Sequence, residues 1–416
     1  MKFNSMFEKI HRGTRQVYKL RDESLRLQLE RLNKELISKF SLSIPNRNAI
    51  IRSLIQFLSQ GSIYYRQKDL RAANQDFYII KADIANFFPS INKHRLYKKL
   101  AKSSLLRDTS LDIIKSFTFN RRIAGVPLGM PFSSALSEIY LEEFDDSIRR
   151  AFSPIFYVRY VDDILIIKNY PANSTVEACR EKQLLFSLLE EIGLSANESK
   201  TDIIEYRASS NNELEFEYLG YNFSIRARDG NAKMLYVSIA EKKYSKKILN
   251  RLTRYFKCYN SSRCANDDFW ILYYRIKNLI FGVTSSGEKG DNHKLKFGIG
   301  FSYKFINSSD KLRKLLKTFH YFRTKYSGKF TSEQTALLFS LITVESNSGE
   351  RLVLNQESSD EDVLRLLNKR VNYTKYSISN LETIASRIGC SEIVRGRDSL
   401  YCYNLQIQIM KKLRMS

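Results

Sequence analysis

The stretch Phe156-Tyr-Val-Arg-Tyr160-Val-Asp162-Asp163-Ile-Leu-Ile-Ile167 constrains the fold more than any other part of the chain. One apolar, β-branched run enters it and another leaves it, so two buried strands joined by a tight turn are expected, with two acids at the turn. Adjacent carboxylates repel. A divalent cation turns that cost into a ligand field, because hard cations take carboxylate oxygens and keep water and substrate phosphates as further ligands. Side chains alternate along a strand, so Asp162 and Asp163 should diverge, and Asp162 is expected to meet the metals more directly. A solvated turn could carry the same dipeptide, and Asp145-Asp146 and Asp267-Asp268 repeat it, but neither of these lies between apolar strands. A second strand-like run, Phe77-Tyr-Ile-Ile-Lys-Ala-Asp83, ends in another acid. Acids on neighbouring strand ends can hold two metals about 3.5–4 Å apart, an arrangement that clamps the attacking and leaving oxygens in phosphoryl transfer.

The chain of 416 residues is long enough for a large core and two or three domains. A formal charge of +24 exceeds what solubility requires and points to a polyanionic partner, nucleic acid rather than membrane. No apolar run of transmembrane length occurs, and the N-terminal residues lack the apolar core of a signal peptide, so a cytoplasmic protein is expected. Five cysteines without a Cys-x-x-Cys pair, and four scattered histidines, read as reduced thiols and no zinc module. Any metal is then held by oxygen.

Five motifs in order across roughly residues 75–225 resemble the reverse transcriptases. Tyr160-Val161-Asp162-Asp163 is similar to their catalytic tetrapeptide, and Asp83 with the following Phe87-Phe88 to the motif that carries their first metal ligand. Val126-Pro-Leu128-Gly129-Met-Pro131-Phe-Ser133-Ser134 resembles the loop and helix that position template and nucleotide. Gly193-Leu194 through Lys200-Thr201, then Tyr218-Leu219-Gly220-Tyr221, resemble the last palm motifs and the primer grip. The Ser-Ser-Ala-Leu-Ser-Glu-Ile-Tyr-Leu form is closest to bacterial abortive-infection and defence-associated members, and Leu128 stands where glutamine is usual. Val283-Thr284-Ser285 replaces the Val-Thr-Gly of retron thumbs, and no Asn-Ala-x-x-His element follows residue 90, which ranks a retron enzyme lower.

The resemblance implies an α+β, right-hand polymerase: fingers and palm over 1–225, a mostly α-helical thumb over 226–306 and a helical C-terminal extension over 307–416. It implies two Mg²⁺ ions held by Asp83, Asp162 and Asp163, with Ile84 in the metal set. Phe88 would pack under the sugar and exclude a 2′-hydroxyl. Gly129, Arg52, Lys68, Arg71 and Lys200 would meet the nucleotide, Lys200 as a general acid for the departing pyrophosphate. Tyr160, Tyr218, Leu219 and Gly220 would meet nucleic acid. Implied partners are dNTPs, a non-coding RNA template and the DNA product, in bacterial antiviral defence, with a homo-oligomer possible through the extension. Two rivals stand beside this: template-independent synthesis primed by one of 25 tyrosines, and a basic RNA-binding scaffold with a relic palm.

Elsewhere periodicity indicates helices. Leu20, Leu25, Leu27, Leu29, Leu32 and Leu36 fall at helical spacing within 14–40, and Asn48–Leu58 resumes the pattern around Arg52. Leu184, Leu185, Leu188 and Leu189 form the apolar face of a helix ending at Gly193, and Phe216–Ile225 alternates as a strand pair around Gly220. After Asp229-Gly230, residues Glu241–Tyr259 read as one helix, with Lys243, Lys247, Arg251 and Arg254 on one face and Ile248, Leu252, Tyr255 and Tyr259 opposite. Such a cationic face suits phosphate contacts along a duplex. In the tail, Ser379-x-x-Glu382 reads as a capping box, and Ser358-Ser-Asp-Glu-Asp362 places acids at a helix start.

Overall fold

The computed structural model describes residues 7–12, 15–60, 70–169, 174–210, 212–227, 232–287, 290–390 and 399–414. Two compact units divide the chain, Met1–Gly61 with Ala73–Leu214, and Ser62–Ala72 with Glu215–Ser416. Lys68 and the Asp229-Gly230 pair lie outside the described residues.

The first unit opens with antiparallel strands β1 (Phe7–Arg12) and β2 (Arg15–Leu20). Leu20 therefore ends a strand, where helical spacing placed it in a helix; the helix α1 (Glu23–Lys39) starts at Asp22, whose side chain accepts from the Ser24 amide. Leu25, Leu29, Leu32 and Leu36 are buried, and Leu27, off that stripe, is exposed. Asn46 caps α2 (Arg47–Leu58) in the same way. There follow β3 (Phe77–Asp83), the short α3 (Phe87–Ser90), α4 (Lys93–Ser103), α5 (Asp108–Thr118), α6 (Ser133–Phe152), β4 (Phe156–Tyr160), β5 (Asp163–Asn169), α7 (Ser174–Glu191) and β6 (Asp202–Tyr206).

The four strands form an antiparallel sheet in the order β4-β5-β3-β6. Ile164–Ile167 of β5 are fully buried, the near-continuous apolar run expected of a strand covered on both faces. Tyr78, Ile80, Ala82, Ile164 and Ile166 join the core formed with α1, α4, α5, α6 and α7. On the other face Phe57 of α2 packs against Phe77 and Phe156, with ring centroids 5.8 and 5.2 Å away. Within α7 the buried positions are Leu185 and Leu189, while Leu184 is exposed, so the apolar face is narrower than the four-leucine stripe implied. Glu181 is buried on the same helix and accepts from the Tyr78 hydroxyl and the Lys168 ammonium, tying α7 to the sheet.

The second unit begins with the meander β7 (Leu214–Tyr218), β8 (Tyr221–Ala227) and β9 (Lys233–Ile239). Leu70 and Ala72 bond to its edge through Leu235 and Lys233. Positive φ at both Leu219 and Gly220 gives the two-residue turn whose twist suits a hairpin. The chain continues through α8 (Glu241–Lys243), a π-helical segment at Tyr244–Leu249, α9 (Asn250–Ser261), α10 (Asn266–Ile280), β10 (Gly282–Gly287), β11 (Gly290–Phe297) and α11 (Ile299–Ser302). Then come α12 (Asp310–Lys325), α13 (Ser332–Leu341), β12 (Thr343–Glu345), β13 (Arg351–Val353), α14 (Asp360–Arg365), β14 (Arg370–Asn372), α15 (Ile378–Arg387) and α16 (Ser399–Leu413). β14 pairs in parallel with β10, opposite the hairpin partner β11, so residues after 307 complete a sheet begun before 290. Ser359 caps α14 and three acids fill its first turn, as the sequence indicated. The cap of α15 is Ser377, accepting from the Asn380 amide, rather than Ser379; Glu382 instead receives the Tyr401 hydroxyl. No helix among the described residues is long and apolar enough to cross a membrane.

Candidate active site

Three acids stand at one end of the first unit's sheet, two of them on strand ends and one in the turn. Asp83 is the last residue of β3 and lies directly opposite Asp163, the first of β5, which is in turn opposite Tyr160. Residues in direct register share a face, so Asp83 and Asp163 are cross-strand neighbours, with Asp162 one step away in the turn. Val161 occupies the left-handed region, φ 60°, which is costly for a β-branched residue and persists only where its surroundings hold it.

The surroundings do hold it. Both turn carbonyls are engaged: the Ile84 amide donates to Asp162 O at 3.0 Å, and Arg159 Nη1 donates to Val161 O at 3.1 Å. Arg159 is itself fixed from behind by α6. Its Nε and Nη2 reach Asp145 at 2.9 and 2.8 Å, and its Nη1 and Nη2 reach Glu138 at 3.2 and 2.5 Å. The Tyr157 hydroxyl adds a third hydrogen bond to Asp145, at 2.6 Å. Burial opposes the charge of Arg159, whose side chain is 4% exposed, but the bonds to Asp145 and Glu138 outweigh it and hold the guanidinium protonated. Asp145, which the sequence offered only as a repeat of the acidic dipeptide, is thus a support of the turn. The signal for it was an arginine inside an apolar strand, which demands carboxylates, and two acids seven residues apart on one helical face.

Asp83 has its own partners. Its backbone carbonyl accepts from the Asn197 amide at 2.7 Å, and its Oδ2 accepts from Lys200 Nζ at 2.8 Å and Asn197 Nδ2 at 3.4 Å. Lys200 stands on a 3₁₀ turn, Glu198–Lys200, anchored by the bridge between Ile84 and Ala196. Among the described residues no three His, Cys, Asp or Glu side chains come together in a group that could hold a metal ion. The donors present are hard carboxylate oxygens, and Asp83 already takes a cation, the Lys200 ammonium, as its partner. Such oxygen donors suit a hard divalent cation, which completes its shell with water and phosphate.

Residues 11–223 match the family described as reverse transcriptase (RNA-dependent DNA polymerase). The chain belongs to the reverse transcriptase family. The Retron Ec83 reverse transcriptase of Escherichia coli is 29% identical over 145 residues, covering 30% of this chain and 46% of that protein. The chain thus matches less than half the length of this curated relative. That relative is a retron enzyme, the group that the Val283-Thr284-Ser285 departure ranked lower. Among solved structures, apo telomerase from Candida tropicalis covers 94% of this chain and 58% of its own, at 13% identity and a TM-score of 0.38. Telomerase from Candida albicans, in complex with a fragment of telomeric RNA, covers 76% and 49% at 14% identity and a TM-score of 0.36. The fold class is the α+β right-hand polymerase.

Other residues expected at a reverse transcriptase site are distributed unevenly. Phe88 is half-buried on α3 beside Phe87, and its carbonyl accepts from the Val126 amide, which fixes its backbone close behind Asp83 in the chain. Gly129, expected to let a ligand approach, is required for a different reason. At φ 102° a β-carbon there would lie 2.6 Å from Tyr18 O, and the Tyr18 amide donates to Leu128 O at 2.8 Å. The backbone that comes close is therefore β2 of the same chain. Arg52 is exposed on α2, Tyr160 is half-buried on β4, and Arg71 belongs to the second unit, bridged to Met234. Tyr218 is buried in the second unit, which corrects its side chain as a nucleic-acid contact; Leu219 and Gly220 remain partly exposed at the turn.

Lys243, Lys247, Arg251 and Arg254 are all exposed. The core-facing residues beneath them are Tyr244, Ile248, Leu252, Phe256 and Tyr259, with Phe256 in the place expected for Tyr255. Both positions lie one turn after Leu252 in the regular helix α9, and it is Phe256 that turns to the core. The cationic side chains are close enough to repel: Lys243 first, then burial and Arg251, pull the Lys247 ammonium below its usual range. Replacing all four with Gln is expected to flatten the dependence of log affinity on log salt by about three to four units on B-form DNA, at about 0.9 per phosphate contact. Binding titrations from low to moderate salt check this, and an unchanged slope places the phosphate track elsewhere.

Proposed function

We propose that the chain is an RNA-directed DNA polymerase, extending a primer 3′-hydroxyl by attack on the α-phosphate of a deoxynucleotide. The observation that carries this reading is the direct register of Asp83 and Asp163 beside a turn whose two carbonyls are both held. Asp83, Asp162 and Asp163, with Ile84 beside them, would hold two Mg²⁺ ions, which supply charge neutralisation at the hydroxyl and the leaving pyrophosphate. The protein's own part is positioning. Arg159 and the Ile84 amide fix the turn so that its acids need no rearrangement, and Lys200, released from Asp83, donates the proton of Nζ to a pyrophosphate oxygen.

The remaining parts of the reading are a non-coding RNA template and a role in bacterial antiviral defence, in the cytoplasm. They are supported by the motif form around Ser133-Ser134, the retron relative and the basic charge. The thumb is assigned to the region carrying the cationic helix, and the extension to residues 307–416. The test is incorporation of labelled dNTP on an RNA template with a DNA primer, with sequencing of co-purified RNA and DNA. Absence of synthesis under every template and primer combination, with Mg²⁺ present, overturns the polymerase.

Phe88→Val is expected to relax the preference for dNTP over rNTP by about 10-fold or more, the scale on which one packing contact discriminates. Unchanged discrimination in steady-state kinetics would make Phe88 core only.

A further inference from the structure

A cluster in the second unit combines aromatic rings with three cations. Trp270, Tyr273, Tyr274 and Lys277 follow one another along α10 at the spacing that puts residues on one stripe. The Trp270 ring centroid lies 5.4 Å from that of Tyr273 and 5.9 Å from that of Tyr274. Arg387, exposed at the end of α15, lays its guanidinium 4.1 Å from the Trp270 centroid. Lys277 Nζ stands 5.7 Å from both the Tyr273 and Tyr274 centroids. Beside it Lys369 is held by the carbonyls of Ser340 and Leu341, at 2.8 and 3.1 Å.

Among the described residues no carboxylate hydrogen-bonds or ion-pairs with Lys277, Lys369 or Arg387. Burial alone depresses the Lys277 ammonium, and burial with the neighbouring Lys277 charge brings Lys369 down to about 8. A protein that gathers three cations against aromatic rings without a counter-charge has left a place for an anion with a planar group. A peptide carboxylate would satisfy the charge and leave the rings unused, and a free phosphate would do the same.

We infer that this cluster binds a nucleotide unit of single-stranded nucleic acid, its base stacked on the Trp270–Arg387 platform and its phosphate between Arg387 and Lys277. Arginine planes and aromatic rings are the two surfaces on which splayed bases stack, and the cations beside them take the backbone. The site lies wholly within the second unit and needs none of the palm acids, so it stands whether or not the polymerase reading does.

Trp270 is the one tryptophan in the chain, so its emission reports on the site directly. The full chain is titrated with oligouridylate and, separately, with uridine monophosphate, without dNTP. Saturable quenching by the oligomer is expected, weakened about 10-fold or more in Lys277→Gln and in Arg387→Gln, the range that stacking and phosphate contacts support. Equal affinity for the mononucleotide supports the same site and assigns it to a free nucleotide rather than a strand. Absence of quenching, or quenching of unchanged affinity in the doubly substituted protein, overturns the proposal. Circular dichroism confirms that each variant is folded; Arg387→Gln, at an exposed position, keeps the test decisive should Lys277→Gln lose structure.

Discussion

Asp162→Asn is expected to lose nucleotide incorporation by about 10³-fold or more, since a ligand charge at a two-metal centre contributes several kcal/mol to the transition state. The substitution removes charge and almost no volume. With shape and volume kept, the variant should stay folded. Single-turnover incorporation, beside thermal unfolding, checks both halves. Because Asp163 rather than Asp162 lies opposite Asp83, Asp163→Asn belongs in the same experiment. If Asp162 meets the ions more directly, its variant is the more damaged of the two. Near-parental incorporation in Asp162→Asn would remove the assignment of the turn as catalytic.

Arg159→Met is expected to be the most destabilising single change around the β4-β5-β3-β6 sheet. It strands Glu138 and Asp145 without their partner in a buried site, a loss of about 3–5 kcal/mol. It also frees the Val161 carbonyl, so a strained turn loses one of its two supports. Structural and positioning roles separate when the acids are neutralised as well. Arg159→Met combined with Glu138→Gln and Asp145→Asn should recover much of the stability, because no unpaired charge is left buried. It should still turn over about 10²-fold more slowly, the loss that a misplacement of about 1 Å produces. Arg159→Lys, which keeps the charge and loses the fork, should fall between. A fall in kcat with little change in KM for dNTP, and a raised Mg²⁺ requirement, mark a positioning residue. If the triple variant regains full activity along with stability, Arg159 serves folding alone.

The acids and their strands were readable in the sequence because both signals are local: an apolar run that stops at an acid, and a run interrupted by two. What the sequence hid was non-local. Arg159 stands in plain view three residues before the paired acids, but its meaning depends on Glu138 and Asp145 of a helix that only the fold brings beneath it. Gly129 does mark a close approach, but the backbone it admits comes from the N-terminal hairpin, whose strands are too short and too charged to declare themselves. Similarly the stripe below Lys243–Arg254 uses Phe256 rather than Tyr255, a choice that a period of 3.6 leaves open because both lie one turn after Leu252. At Ser377 the serine nearer the helix start takes the cap although Ser379 makes the better motif, because the backbone turns into the helix before Ile378.

The pairing of β14 with β10 sets a schedule for making this protein. Gly282–Thr284 leave the ribosome early, and their partner Arg370–Asn372 emerges only after the intervening chain, which takes roughly 4–18 s at about 5–20 residues per second. Through that interval β11 can cover one side of β10 while the other side presents bare amides and carbonyls, a template for pairing with another nascent chain. Expression hosts with slow translation or scarce chaperones should therefore yield more insoluble product. A message truncated before the codon for residue 370 should make that condition permanent.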